Sequence, residues 1–224
     1  MNTNMKIAID GPAGAGKSSV AKLVAERLSF LYIDTGAMYR ALTFAALRDD
    51  VNLENGLELR KLLDTLQIHL IHESGIRVLL NNEDITERIR LQDVTSNVSK
   101  VASHENVRTE MVERQRKLAN HGKAVLDGRD IGTHVLPDAE VKIFLTASVK
   151  ERAKRRFNEL VAKGLPSDLE QIEKDIANRD QLDSTREFAP LKKADDAVKI
   201  DSTDLSIEEV VEIIIGLVKE RAAT

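Results

Sequence analysis

Gly11-Pro-Ala-Gly-Ala-Gly-Lys-Ser18 decides the fold, because it follows the short apolar run Lys6-Ile-Ala-Ile-Asp10 and opens a helical stretch from about Lys17 to Leu28. It fits the pattern G-x-x-x-x-G-K-[ST] at every position. Glycines let successive backbone amides turn inward on a polyphosphate, and the helix that follows aims its positive end at the same anion. In such a cradle Gly11, Pro12, Ala13, Gly14, Ala15, Gly16 and Ser19 form the wall. Lys17 reaches the terminal phosphates and the Ser18 hydroxyl ligates Mg²⁺. Lys17 is expected as a solvent-facing loop charge. The competing explanation is a chance glycine-rich turn, which average residue usage produces in about one chain in 100 of this length. The strand before the loop and the helix after it are what the chemistry requires, and chance does not supply them.

Outward from that loop, short apolar runs alternate with longer amphipathic stretches. Phe30-Leu-Tyr-Ile33, Lys123-Ala-Val-Leu-Asp127, Val141-Lys-Ile-Phe-Leu145 and Ala197-Val-Lys-Ile200 read as further strands, each bounded by Gly, Asp or Pro. Strands joined by helices long enough to cross over imply right-handed βαβ units and a parallel sheet covered on both faces, an α/β architecture. A helix is expected after Gly36, and two more over about Gln92–Val101 and Glu105–Asn120. Between them Gln67-Ile-His-Leu-Ile-His72 and Ile76-Arg-Val-Leu-Leu80 flank Glu73-Ser-Gly75, and Asn81-Asn-Glu-Asp84 follows as another turn signal. An antiparallel insert is therefore predicted over about Leu66–Arg90. His69 and His72 lie in it without an evident third ligand, so they read as ordinary hairpin side chains.

The chain has 224 residues, which fits one compact domain or one core with an inserted lobe. Its 33 Lys and Arg against 37 Asp and Glu leave a formal charge of −4. That balance argues against non-specific binding to a nucleic acid polymer or an anionic membrane, both of which need a basic face. The absence of cysteine excludes disulfides, thiolate catalysis and zinc–thiolate sites. The first apolar run, Ile7 to Ile9, is far short of a membrane span of roughly 20 residues, and Gly11 interrupts any signal-peptide core. A cytoplasmic protein is expected.

The loop alone does not distinguish a kinase from a GTPase or a motor. A GTPase should carry a base-reading N-K-x-D after a later strand, and none is present. Asp127, ending an apolar strand, is where a carboxylate near Mg²⁺ is expected, with a helix-capping Asp as the alternative. Arginines recur where a second phosphate would need them: Arg40, Arg108, Arg129, and the pair Arg179 and Arg186 around Asp180-Gln-Leu-Asp-Ser-Thr185. Guanidinium forks hold phosphate oxygens and stabilise charge on a phosphoryl group in transfer. Singly, each would more often be a solvated surface residue. Lys150-Glu-Arg-Ala-Lys-Arg-Arg156 reads, on its residues, as a solvated helix face with Glu151 and Arg155 at i,i+4 spacing.

At Ile9-Asp-Gly-Pro-Ala-Gly-Ala-Gly-Lys-Ser18, Asp34-Thr-Gly-Ala-Met-Tyr-Arg40, Asp127-Gly-Arg-Asp-Ile-Gly-Thr133 and Pro137-Asp-Ala-Glu-Val-Lys-Ile-Phe-Leu145, the chain closely resembles the bacterial cytidylate kinase family, through nearly its whole length. The resemblance implies a P-loop kinase fold: a five-stranded parallel sheet flanked by helices, a small antiparallel insert in the monophosphate-binding region, and a helical lid. It implies one domain over 1–224, with the monophosphate-binding lobe over about 35–120 and the lid over about 148–186. The implied activity is transfer of the γ-phosphoryl group of ATP to CMP or dCMP, with Mg²⁺, in pyrimidine nucleotide metabolism, by a monomer.

Residue by residue, the resemblance puts Thr35, Tyr39 and Arg40 on the acceptor. Ser99, Arg108 and Asp130 read the cytosine edge. Arg129, Arg179 and Arg186 surround the acceptor phosphate, and Asp183 lies near the sugar. Lys17, Arg129 and Arg179 are the implied catalytic groups, Ser18 and Asp127 the metal ligands, and Arg155 or Arg152 the lid contact to transferring phosphates. Thr35 stands where some relatives have Ser, which keeps the hydroxyl. Leu182 and Ser184 stand where some relatives carry further arginines. Base reading also makes physical sense: Asp130 can accept from the C4 amino group of cytosine while Arg108 and Ser99 donate to N3 and O2. Uracil reverses the polarity and leaves a buried group unpaired. The rivals are a kinase for another small acceptor, such as UMP or shikimate, and a nucleotide-dependent switch acting through a protein partner.

Overall fold

The structure is a computed structural model that describes residues 4–72 and 76–223. In chain order the elements are β1 (Lys6–Asp10), α1 (Lys17–Leu28), β2 (Leu31–Asp34), α2 (Thr35–Arg48), α3 (Gly56–Thr65), β3 (Ile68–His72), β4 (Ile76–Leu80), β5 (Glu83–Asp84), α4 (Gln92–Val101), α5 (Glu105–Ala119), β6 (Ala124–Gly128), β7 (Val141–Thr146), α6 (Val149–Ala162), α7 (Leu169–Thr185), β8 (Val198–Asp201) and α8 (Ile207–Ala223). They form two compact units, Met1–Tyr32 with Ala119–Thr224, and Ile33–Leu118.

The five-stranded sheet runs in the order β2-β6-β1-β7-β8, and β1 pairs parallel with both β6 and β7. A strand paired on both edges and covered on both faces has no solvated side, which is why Lys6-Ile-Ala-Ile-Asp10 is buried at every position. Its only long polar side chain, Lys6, carries its ammonium to the carbonyls of Ala119 and Gly122 and to Asn4 Oδ1. The expected strands are all present. The second lies one residue later than expected, at Leu31–Asp34, because Asp34 ends it as the cap of the next helix. That helix starts at Thr35, ahead of Gly36, with Asp34 Oδ1 accepting from Ala37 N at 2.7 Å.

In the second unit β3, β4 and β5 form the antiparallel insert, with Ile68 opposite Leu80 and Leu70 opposite Val78. The turn expected at Glu73-Ser-Gly75 lies outside the described residues. Asn81 and Asn82, both with positive φ, make the second turn, and Glu83–Asp84 pairs back on β4 as a short third strand. Helix α3 carries no expectation from the sequence reading, although its signal is legible. Asn55 accepts from Leu57 N and Glu58 N, its own amide donates to Glu58, and Leu59 and Leu63 form a buried i,i+4 pair. In the first unit α6 and α7 pack on each other, and no helix among the described residues is long and apolar enough to cross a membrane.

Candidate active site

The loop after β1 is shaped by what a side chain would strike. Gly11 has φ +150°, and a Cβ there would lie 1.9 Å from the Leu145 carbonyl oxygen of β7, so only glycine lets β1 run on into the loop. Gly16 takes the left-handed conformation as the N-cap of α1 and leaves that helix without a side-chain cap. A helix start without a side-chain partner directs its orphan amides and dipole into the loop, the arrangement that receives an anion. Gly14 and Ser19 are exposed, while Pro12, Ala13 and Ala15 are buried.

Lys17 differs from expectation. Rather than facing solvent it is 5% exposed, folded back so that Nζ donates to Pro12 O at 2.7 Å. Burial pushes its pKa well below the ordinary lysine value, and Arg129 and Arg179 push it further, against the pull of Asp127 and Asp183. Lys17 thus lies near two guanidinium groups, which repel it, in a loop whose amides are also donors. A polyphosphate would relieve that repulsion.

Asp127 does not cap a helix. It accepts from Ser18 Oγ and from Tyr32 OH, each at 2.8 Å, at the end of β6 beside β1. Ser18 and Asp127 bring a hydroxyl and a carboxylate together at the mouth of the loop, a hard oxygen pair that suits Mg²⁺. Tyr32, in sequence no more than a strand residue, fixes the second carboxylate oxygen.

The turn after β6 and the end of α7 supply the arginine cluster. Arg129 donates through Nε to Asp183 Oδ2 at 2.8 Å, and Arg186 lies 3.7 Å from Asp130 Oδ1 while donating through Nε to Ala189 O. Burial works to raise the pKa of Asp183, but Arg129, Arg179 and Arg186 outweigh it and hold the carboxyl below its usual range. Asp183 therefore organises arginines, a role that the expected sugar contact does not include. Leu182 is exposed, and Ser184 bonds back to the Asp180 and Gln181 carbonyls of its own helix.

Of the two expected lid arginines, Arg152 is buried and committed. Nε donates to Ala147 O, Nη1 to Ala13 O at 2.8 Å, and Nη2 meets Asp180 Oδ2 at 2.7 Å; Asp180 Oδ1 in turn accepts from Ala13 N at 3.3 Å. The pair braces the Ala13 peptide from both sides, so Arg152 supports the loop from behind. Arg155 sits at the edge of Gly16 and bonds to Ser202, whose hydroxyl reaches Ala15 O at 3.5 Å.

The remaining expected residues belong to the second unit. Arg108, 1% exposed, is among the largest fully buried side chains; it donates to Ala102 O and lies 5.4 Å from the centre of the Tyr39 ring. A guanidinium is rarely fully buried unless it is paired or part of a site. Arg40 pairs with Asp34 at 3.2 Å, yet its Nε is buried with no hydrogen-bond partner. Gly36 leaves room for that guanidinium, since a Cβ there would stand 3.0 Å from Arg40 Nη1. Thr35 is buried at the start of α2, and Ser99 is half-buried on α4.

A glycine cradle before an uncapped helix, on a five-stranded parallel sheet with an arginine cluster beyond it, defines the class of P-loop kinases. The chain belongs to the cytidylate kinase family, whose model, described as "Cytidylate kinase", matches residues 7–220. Relatives named cytidylate kinase from Geobacillus sp. (strain WCH70) and Halalkalibacterium halodurans are 61% identical over 222 residues and 60% over 218, covering 99% and 97% of this chain and 99% and 98% of their own. Among solved structures, an uncharacterized protein from Eubacterium ventriosum superposes with a TM-score of 0.52 at 16% identity, covering 97% of this chain and 99% of its own. That likeness concerns the fold alone.

Proposed function

We propose that this chain transfers the γ-phosphoryl group of ATP to the phosphate of CMP or dCMP, giving ADP and CDP or dCDP, by direct in-line displacement. An acceptor phosphate oxygen forms the new bond to phosphorus as the bond to the β,γ-bridging oxygen breaks. No covalent enzyme intermediate is needed, because phosphoryl transfer is accelerated mainly by positioning and charge stabilisation. The loop Gly11–Ser19 holds the donor's phosphates, and Lys17 follows the charge that develops between donor and acceptor. Arg129 and Arg179 stabilise the equatorial oxygens, and Arg40 and Arg186 orient the acceptor phosphate. Asp130, Arg108 and Ser99 read the cytosine edge, Thr35 and Tyr39 line the acceptor, and Arg155 adjoins the donor. Ser18 and Asp127 are the groups that would hold Mg²⁺, which when bound neutralises phosphate charge.

The observation that carries this reading is the loop itself: Gly11 packed against Leu145 O, Gly16 left-handed before an uncapped helix, and Lys17 buried with its ammonium on Pro12 O, near Arg129 and Arg179. The family's relatives supply the substrate class. The proposal extends to a cytoplasmic enzyme that works as a monomer. ADP release with CMP, dCMP, UMP and AMP offered in turn is the test. Turnover with CMP and dCMP well above that with UMP and AMP is expected; ADP release indifferent to the acceptor would overturn the reading.

A further inference from the structure

Asp10 is the last residue of the central strand, buried, and its side chain is held by the turn after β6. Oδ1 accepts from Ile131 N and Oδ2 from Gly132 N, each at 2.7 Å. The backbone of Asp10 is also in register with Gly128 on β6 and Phe144 on β7. One residue therefore fixes both ends of a two-residue turn, Gly128 through the sheet and Ile131 through its carboxylate. The residues between those ends are Arg129 and Asp130. Beyond the turn a single π-type turn, Ile131–Val135, closes back on it, with His134 N and Val135 N both donating to Asp130 O.

We propose that Asp10 is a positioning residue for acceptor selection, holding the Arg129–Asp130 turn against the strand that launches the phosphate loop; this rests on the reading of those two residues as acceptor ligands. A carboxylate suits the joint because both its oxygens accept, so two consecutive amides are satisfied at once. An amide of the same size accepts at one oxygen and confronts the second N–H with its own NH₂. Gly132 belongs to the same joint from the other side. A Cβ there would lie 3.2 Å from Lys142 Cδ, so that the lysine or the turn must give by a few tenths of an ångström, and 3.4 Å from Asp10 Oδ2, in contact with it, with the glycine backbone unstrained.

The test uses the full chain with Asp10→Asn and Gly132→Ala, and Asp130→Ala as a reference. Calorimetric titration gives the Kd of CMP and of ATP separately, circular dichroism gives the melting curve, and steady-state kinetics give the CMP-over-UMP ratio of kcat/KM. At pH 8, where the Asp10 carboxyl is ionised, Asp10→Asn should weaken CMP about 10-fold or more, the loss of one charged hydrogen bond. It should also lower the CMP-over-UMP ratio, with the Kd of ATP changed less than about twofold. Gly132→Ala should move both quantities in the same direction by a smaller factor. It decides the matter alone if Asp10→Asn does not fold. Folded variants that bind CMP like wild type, or that lose ATP as much as CMP, would overturn the proposal. If Asp130→Ala binds CMP normally, the acceptor reading fails instead, and the proposal with it.

Discussion

The loop Gly11–Ser18 and the cluster of Arg129, Arg179, Asp183 and Arg186 both present positive charge, and they are made of different materials. In the loop the donors are backbone amides, and the requirement is steric: Gly11 cannot carry a Cβ against Leu145 O, and Gly16 must turn left-handed. In the cluster the donors are side chains from the turn after β6 and from the end of α7, segments about fifty residues apart in sequence, held by ion pairs such as Arg129–Asp183. Backbone amides accept any polyphosphate that fits. Side-chain forks set between carboxylates are directional and discriminate by chemistry. The first material suits a common donor, the second a particular acceptor.

The largest effect should come from Lys17, to which the proposed reaction gives a part in the transfer itself. Lys17→Ala should lower kcat about 10²- to 10³-fold, and equally for CMP and dCMP. Its melting temperature should be unchanged or higher, because the lost group is a buried cation repelled by Arg129 and Arg179. A folded variant with near-wild-type turnover would break the donor side of the comparison.

Asp130→Asn tests the discriminating side. The added amide donor can face the C4 oxygen of uracil, and the substitution also releases Arg186, 3.7 Å away, so both acceptors can suffer. The ratio of kcat/KM for CMP over UMP is therefore decisive, and it should fall by about 10- to 150-fold. Equal losses on both acceptors would make Asp130 a partner of the phosphate arginines only.

Arg40→Lys removes a planar fork whose Nε has no hydrogen-bond partner and should raise the KM for CMP about 10-fold, leaving ATP affinity unaltered. An ATP affinity that falls in parallel would erase the division between donor and acceptor arginines.

The smallest effect is on stability against pH. Burial pushes the Asp10 carboxyl up to about 7, against the Gly132 and Ile131 amides; Asp130 adds to the rise and Lys17 opposes it, while Lys142 packs against Gly132. The folded chain keeps a proton that the unfolded chain releases near 3.8, so this group's contribution falls as pH rises from about 4 to about 7 and levels off above. Between pH 6 and 8 the fall is about 1 kcal/mol. Wild type should lose thermal stability relative to Asp10→Asn over that interval, and parallel melting curves would contradict the shift.

The strands, the loop and its glycines were legible because each is local: β-branched runs of four or five residues and a motif whose spacing is dictated by phosphate geometry. Helix α3 was legible too, in Asn55 and Glu58, though its short apolar stripe is easily passed over. The arginines were legible only as candidates. Nothing in the residues around position 152 distinguishes Arg152, which braces Ala13 from behind the loop, from Arg155 at the edge of Gly16.

By itself, then, the sequence determined an α/β chain with a phosphate loop between its first strand and helix and, through long shared motifs, its family. Tertiary structure alone decided that Lys17 is buried, that Asp183 organises arginines, that Tyr32 holds Asp127, and that Asp10 grips the turn bearing Arg129 and Asp130. The physical reason is range. Steric and hydrogen-bonding demands within one turn of chain are written in consecutive residues. The burial and charge around a side chain depend on segments that meet only when the sheet forms.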